Sequence, residues 1–477
     1  MTFDELLKVV ASEKSPGLCV DSRLVRAGNI FVAVPGTSCD GHNFIGKALE
    51  KGAKYIVCQR PVRCENAEVI IVDDSAKAAG LLAQASYGWP ASKLINLAVT
   101  GTNGKTTIAF LVRSIIQSAG QKCGLIGTVV YDGVLSCIEA PLTTPDYLTI
   151  ADMTAQMVKA GAKYMVIEAS SHSLAQNRLA GVNFRAAAFT NLTGDHLDYH
   201  RTKQNYLDAK SKLFEGLATE ATAVLNKESP ESEQIARRTK AKILWYAVDA
   251  PADITAHIES INITGTTFAL GYAGRKKKVN IHLSGRYNVS NALAAAGLCL
   301  AAGLDLETIA AGLPSLKAIP GRLEKLDWGG DFTVIVDFAH TDDALKNVLS
   351  AMRPLCKGRL IVVFGCGGDR DRTKRPRMAK VVEQLADFVV VTSDNPRTEQ
   401  PEDIIKEVAA GFSNPSSPAI IFEPDRVKAI ELAVKKAVKN DIVLIAGKGH
   451  ETYQIIGTQK FNFSDKAVAL ECLGKRK

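Results

Sequence analysis

Short unbroken apolar runs alternate along this chain with longer stretches whose apolar residues recur at helical spacing. In residues 1–90, Asn29 to Val34 and Tyr55 to Cys58 read as short buried strands and Ile45 to Lys51 as a helix between them. Gly36 to Gly41 reads as a loop. In residues 91–318, the runs Leu94 to Val99, Cys123 to Val130, Lys163 to Ala169, Arg185 to Thr190 and Ala221 to Leu225 predict strands. Thr107 to Ser118, Asp152 to Lys159, Asn205 to Leu217 and an alanine-rich stretch from Arg286 to Ala302 predict helices. In residues 319–477, strands are predicted over Phe332 to Asp337, Leu360 to Gly365, Phe388 to Thr392, Ala419 to Phe422 and Ile442 to Ala446. Helices are predicted between them over Asp343 to Met352, Arg377 to Ala386, Pro401 to Ala410 and Arg426 to Val438.

Strand followed by helix, repeated, implies mostly parallel sheets covered on both faces. The expected class is therefore α/β in three domains: a small N-terminal α/β unit (1–90), a central unit (91–318) and a doubly wound, Rossmann-like C-terminal unit (319–477). Ligands of such sheets gather beyond the carboxyl ends of the strands.

The polar residues at those ends carry the chemistry. Thr100-Gly101-Thr102-Asn103-Gly104-Lys105-Thr106-Thr107 stands between a predicted strand and a predicted helix, so its backbone amides converge on an anion. Gly101 and Gly104 let the backbone approach phosphate oxygens, Lys105 brings a point charge and the Thr106 hydroxyl suits a Mg²⁺ shell. Val99 stands where the strict phosphate-loop pattern has glycine, but the strand-turn-helix context is that of a P-loop, and the ligand implied is ATP. Glu168 and Ser170-Ser171-His172 close the next strand, and Asn191 to His196 the one after it. A carboxylate and an imidazole there suit the cations that neutralise phosphates. His196 and His200, four apart, also have the spacing of an exposed helical pair, and by periodicity Lys210 is a solvated lysine on an amphipathic helix. Asn288 and Asn291 open the alanine-rich helix, either as caps or as nucleotide contacts. The C-terminal strands end in Asp337 to His340, Gly365 to Asp371, Ser393 to Arg397 and Gly447 to Glu451, four polar clusters in one unit. In the N-terminal unit, Asp21-Ser22-Arg23 and Thr37 to Cys39 offer groups that suit a sugar or nucleotide, and also have the composition of plain turns.

Composition narrows the class. With 46% hydrophobic and 23% charged residues the chain reads as an ordinary soluble protein. Its net charge of +8, with no basic run longer than Arg275 to Lys278, favours anionic small molecules over nucleic acid. The ten cysteines form no Cys-x-x-Cys pair, which fits a reducing cytoplasm. The first ten residues are wrong for a signal peptide and no apolar run suffices for a membrane span.

Taken together, these motifs resemble the Mur ligases, the ATP-dependent amino acid ligases of peptidoglycan synthesis, over essentially the whole chain. The loop Gly101 to Thr107 is shared with folylpolyglutamate synthases and marks the superfamily. Asp21-Ser22-Arg23, Glu168 with Ser170 to His172, Asn191 through His200, Phe364 to Arg372, Asp394 to Arg397 and Ala446 to Tyr453 resemble the branch that adds meso-2,6-diaminopimelate to UDP-N-acetylmuramoyl-L-alanyl-D-glutamate. The resemblance implies ATP bound by Gly101 to Thr107, Asn288, Asn291, Arg322 and Asp337, with Lys105, His196, Lys210 and His340 catalytic. It implies Mg²⁺ held by Thr106, Glu168, His196 and a carbamylated Lys210, which overrides the periodicity reading of that lysine. The UDP-muramoyl dipeptide would meet Val20, Ser22, Thr37, Ser38, Cys39, Thr143, Thr144, Ser170, Gln176 and Arg178. Arg370, Asp394, Asn395, Pro396, Arg397, Gly447 and Glu451 would receive diaminopimelate. The implied protein is a cytoplasmic monomer with no nucleic acid or membrane partner. Two positions depart from the family pattern: Leu142, where some members have asparagine, and Phe338 with Asp342, where tyrosine and proline are more usual. An L-lysine-adding ligase, another Mur or folylpolyglutamate ligase, and a regulatory nucleotide-binding module are the competing readings. The Asp394 to Arg397 cluster argues against the first, and retention of Glu168, His196, Lys210 and His340 against the last.

Overall fold

The structure, a computed structural model, describes residues 1–12, 16–36 and 39–476, except the side chain of Leu197. Strand-helix alternation builds three separate sheets and one short hairpin. The first sheet has four parallel strands in chain order, Leu18–Cys19, Ile30–Val32, Tyr55–Cys58 and Glu68–Ile71. Helix Ser75–Ser86 packs on it and on helix Tyr147–Lys159 of the next unit, so that Leu82 and Ala83 share one apolar cluster with Tyr147 and Ala151. A Cβ at Gly80 would stand 2.5 Å from the Ala180 carbonyl oxygen, which is why a residue without a side chain occupies that close approach.

The central sheet has eleven strands. Seven neighbours run parallel, in the order Ile254–Asn262, Lys242–Val248, Thr222–Asn226, Ala186–Phe189, Ile95–Thr100, Tyr164–Glu168 and Cys123–Ile126. From Ile95–Thr100 the chain winds first to one side and then to the other, leaving a crevice beyond that strand's carboxyl end. Alternate residues feed two cores. Leu97, Val99 and Val166 join helices Lys105–Ser118 and Arg286–Ala301, while Ala98, Met165 and Ile167 join helices Tyr147–Lys159 and Lys203–Glu215. The alanine-rich helix lies close to the sheet, and a Cβ at Gly297 would meet Val224 at 2.5 Å.

The third sheet runs Glu324–Leu326, Thr333–Asp337, Ile442–Ala446, Leu360–Cys366, Phe388–Ser393 and Ile420–Phe422, parallel except for the first strand. Helices cover both faces, as a doubly wound unit requires. Arg426 and Asp465 form a fully buried ion pair, with Nε and Nη2 donating to the two carboxylate oxygens at 2.7 and 2.8 Å. The same guanidinium donates to the Ser393 and Ala446 carbonyls and so ties two strand ends beneath a polar cluster. Asp465→Ala would leave that cation buried and unpaired, and is expected to lower stability by about 3–5 kcal/mol. A urea titration would show it as an earlier midpoint.

The structure differs from the expected elements in several places, the unexpected parallel strands Lys242–Val248 and Ile254–Asn262 among them. Cys123 to Val130 is not one strand: Cys123–Ile126 is parallel, and Val130–Asp132 returns antiparallel. The bend at Gly127 and Thr128 wraps the Glu168 carboxylate, where a Cβ on Gly127 would stand 2.2 Å from Oε1. The helix expected from Asp152 begins at Tyr147, because Asp146 caps it by accepting from the Thr149 amide. The expected elements omit the antiparallel strands Gly265–Tyr272 and Arg275–Ile281: the first is interrupted by threonines and glycines, and the second has one exposed, basic face.

Candidate active site

The loop after Ile95–Thr100 is shaped by its neighbours. Gly101 has φ +145° and Gly104 φ +92°, and side chains there would collide with Thr190 and Asn291 respectively. The Thr102 and Asn103 amides donate to the backbone and side-chain oxygens of Asn191 at 2.9 and 3.0 Å, and the Thr190 hydroxyl donates to the Asn103 carbonyl at 2.7 Å. Lys105 folds back over the loop, giving protons to the Gly101 and Thr102 carbonyls at 2.9 and 2.8 Å. Burial lowers its pKa, against the pull of Glu168 and Asp195.

Glu168, fully buried, collects donors from three directions. Thr106 Oγ1 donates at 3.0 Å, the Thr128 amide at 2.8 Å and the Thr128 hydroxyl at 2.9 Å. Arg322 Nη2, from the C-terminal unit, donates to the Thr106 hydroxyl at 3.2 Å. Burial weakens the Arg322 cation and raises the Asp337 pKa, while each opposes the other's shift. Asp337 also accepts from the Leu323 and Ala339 amides.

Beside the loop lies a cluster of imidazoles and phenols. His172 packs edge-on to His196 with centroids 4.8 Å apart, and His200 lies 5.1 Å from Tyr206. His196 has φ +55°, a left-handed conformation that carries it out of the preceding strand. His200 is buried and the two do not form an exposed pair. Lys210 is likewise not solvated: it is 1% exposed, donates to the Gly101 carbonyl at 2.9 Å, and lies over the Tyr206 ring at 4.4 Å. Burial, then the neighbouring Lys105 charge, holds its pKa well below the usual lysine range. The mostly polar sequence of its helix misleads because the loop carbonyls pack against it.

The central and C-terminal units enclose a cavity of about 980 Å³. Thr102 to Thr107, Asn288, Asn291, Arg322, Asp337, His196 and His340 line it, with Gly101 and Lys210 behind the loop. Asn291 donates to the Asn288 side chain at 3.1 Å and stands against Gly104. Asn103 Nδ2 reaches Asp343 at 2.7 Å across the units. His340 Nδ1 donates to the Phe338 carbonyl at 2.9 Å, leaving Nε2 as its free face, and burial lowers its pKa to about 4. Among the described residues no cluster of three or more His, Cys, Asp or Glu has metal-holding geometry. Two of the four expected ligands are a threonine and a lysine, outside that set.

Four residues expected on the peptide meet at one place. Thr144 Oγ1 donates to the Glu168 carbonyl at 2.6 Å and accepts from the Ser170 amide at 3.0 Å. Arg178 donates to Gln176 Oε1 at 2.7 Å and to the Thr144 carbonyl at 2.9 Å. Thr143 is tied to the same place through the Thr128 hydroxyl, at 3.2 Å. Leu142, half-exposed, contributes its carbonyl to Tyr131. Val20 and Ser22 lie in the N-terminal unit with Cys39, Ser22 buried and the others exposed, while Thr37 and Ser38 fall outside the described residues.

The last cluster joins three strand ends of the C-terminal unit. Asn395 donates to Glu451 at 2.9 Å, and Lys448, absent from the expected set, gives protons to both at 3.0 and 2.8 Å. Lys448 is fully buried, a signal that only the structure supplies. Gly447 stands against the Asp394 carboxylate, and Pro396 against Gly368. Arg397, at φ +53°, donates to the Gly368 carbonyl at 2.8 Å and pairs with no carboxylate among the described residues. Burial and then Arg370 lower its pKa. Asp394, Glu451 and Asp369 oppose that shift from a distance, and Arg370 itself is exposed.

The Mur ligase family catalytic domain matches residues 16–87, the Mur ligase middle domain residues 99–299, and the Mur ligase, glutamate ligase domain residues 321–449. A UDP-N-acetylmuramoyl-L-alanyl-D-glutamate--2,6-diaminopimelate ligase of Geobacillus thermodenitrificans is 43% identical over 464 residues, covering 96% of this chain and 94% of its own. One of the same name from Fusobacterium nucleatum is 43% identical, covering 100% and 97%. A solved structure of a ligase of that name superposes with TM-score 0.69 at 33% identity, over 96% of this chain and 95% of that one. The chain belongs to the Mur ligase family.

Proposed function

We propose that this chain is an ATP-dependent ligase that joins meso-2,6-diaminopimelate to UDP-N-acetylmuramoyl-L-alanyl-D-glutamate, acting in the cytoplasm as a monomer in peptidoglycan synthesis. The observation that carries it is Arg397, whose guanidinium pairs with no carboxylate among the described residues and lies beside Arg370 in the polar cluster at the strand ends of the C-terminal unit. Three domains divide the work: 1–90 takes the uridine nucleotide through Val20, Ser22 and Thr37 to Cys39, 91–318 the ATP and the peptide, and 319–477 the incoming amino acid.

The chemistry is positioning and neutralisation of anions. The loop amides and Lys105 receive the ATP phosphates, Asn288, Asn291, Arg322 and Asp337 hold the rest of the nucleotide, and His340 offers a neutral imidazole to the transferred phosphoryl group. Thr144, Ser170, Gln176 and Arg178 aim the D-glutamate side-chain carboxylate at the γ-phosphate, giving an acyl phosphate and ADP. The amino group of the acceptor, held by Asp394 to Arg397, Gly447 and Glu451, attacks the acyl carbon, loses a proton and displaces phosphate.

The residues fit Mg²⁺ where Thr106 and Glu168 already bring two oxygens to 3.0 Å. They fit a carbamate at Lys210, where burial favours the uncharged amine, the form that adds CO₂. Bound there, Mg²⁺ supplies charge neutralisation between phosphate and carboxylate.

The test is phosphate release with ATP, Mg²⁺ and the UDP-muramoyl dipeptide, comparing meso-diaminopimelate with L-lysine. Diaminopimelate is expected to be the better acceptor by about 10³-fold in kcat/KM, because lysine leaves the half-buried Arg397 guanidinium unpaired. Lysine as the better acceptor refutes the assignment.

A further inference from the structure

His450 lies in the acceptor loop and has no part in the scheme above. Its Nε2 is 3.2 Å from the backbone oxygen of Thr128, a group that only accepts, so this nitrogen carries the proton. Nδ1 is buried with no partner, and burial lowers the pKa of the ring to about 4, which agrees with a neutral imidazole of that one tautomer. Thr128 is the residue whose amide and hydroxyl both donate to Glu168. One hydrogen bond therefore joins the loop that receives the amino acid to the bend that holds the carboxylate of the phosphate site.

Two further contacts fall on the same point. The Phe338 ring packs against His450 and His340, with centroids 5.2 and 4.7 Å away, and the Arg322 guanidinium lies over it at 4.6 Å. Gly321, where the chain enters the C-terminal unit, has φ +63°, and a Cβ there would stand 2.0 Å from the His450 amide nitrogen. Gly449, at φ +54°, would meet the Gly321 carbonyl at 2.7 Å. The crossing point between the units and the acceptor loop touch backbone to backbone, so one cannot turn without displacing the other.

We propose that His450 is a positioning residue that latches the acceptor loop to the Thr128 bend, so that the pocket for the incoming amino acid is complete only when the central and C-terminal units are closed. It rests on the ligase reading for the identity of the acceptor, while the latch itself concerns closure. Without the hydrogen bond the nucleotide side of the site keeps its groups and the acceptor side loses its register.

Two variants separate the hydrogen bond from the bulk of the ring. His450→Phe keeps an aromatic ring against Phe338 and removes the donor; His450→Gln keeps a donor. Small-angle scattering with Mg²⁺ and a non-hydrolysable ATP analogue is expected to show wild type and His450→Gln closed and His450→Phe more open. Steady-state kinetics are expected to show the diaminopimelate KM of His450→Phe raised about tenfold, with the ATP KM within about threefold of wild type and most of the loss restored in His450→Gln. Unchanged scattering in His450→Phe, an unchanged acceptor KM, or equal rises in both KM values would overturn the latch. A wild type that closes and opens as described but does not use diaminopimelate would sink the ligase reading and leave the latch standing.

Discussion

Lys210→Ala is expected to lower turnover by at least about 10³-fold, and millimolar formate or acetate to restore part of it. The reason lies in the charges around that side chain. An ammonium at Lys210 would sit 1% exposed beside Lys105, and both burial and that neighbour favour the uncharged amine. A neutral amine adds CO₂ and, giving up one N–H proton to solvent, becomes a carbamate anion, which would convert a repulsive position into one able to hold a cation near His196. Alanine removes the anion and leaves a space that a small carboxylate can enter. Circular dichroism should show the variant folded, and full activity without added acid would refute the carbamate.

Arg397→Leu is expected to cut kcat/KM for meso-diaminopimelate by about 10³-fold and to leave L-lysine within about threefold of its wild-type value. Arg397 is held by its backbone as well as its side chain: its amide donates to the Ile455 carbonyl at 3.1 Å and its carbonyl accepts from Gly457 at 2.7 Å. The pocket therefore keeps its shape when the guanidinium is lost. What disappears is a fork that matches a distal carboxylate, while Arg370 remains beside the position. Competition between the two amino acids, read by mass spectrometry of the product, checks the ratio directly. Equal losses for both acceptors would mean that Arg397 supports the fold of the loop and not recognition.

Much of this architecture is legible before any coordinates. Buried parallel strands such as Leu360–Cys366 and Ile442–Ala446 announce themselves as unbroken apolar runs, and the polar clusters after them mark the strand ends. What stays hidden is whatever depends on a partner far along the chain. Lys210 and Lys448 look like solvated cations until the Gly101 carbonyl and the Glu451 carboxylate are seen against them. The break at Gly127 makes sense only once Glu168, 41 positions on, fills the bend (127 to 168). Strands exposed on one face, such as Arg275–Ile281 with its basic residues, carry too few apolar positions to be read locally. The periodicity of a segment reports its own burial, and a catalytic group is often buried by someone else's backbone.

The seam between helices Ser75–Ser86 and Tyr147–Lys159 is apolar and is reinforced by Asn177 donating to Asp74 at 2.7 Å, whereas the C-terminal unit touches the loop through single polar contacts. The N-terminal and central units thus share a packed seam, which sets the distance between the first sheet and the phosphate loop. On the proposed function, with the uridine nucleotide held by the N-terminal unit, a donor peptide shorter or longer by one residue would present its carboxylate away from the phosphate loop, so that the seam would select chain length.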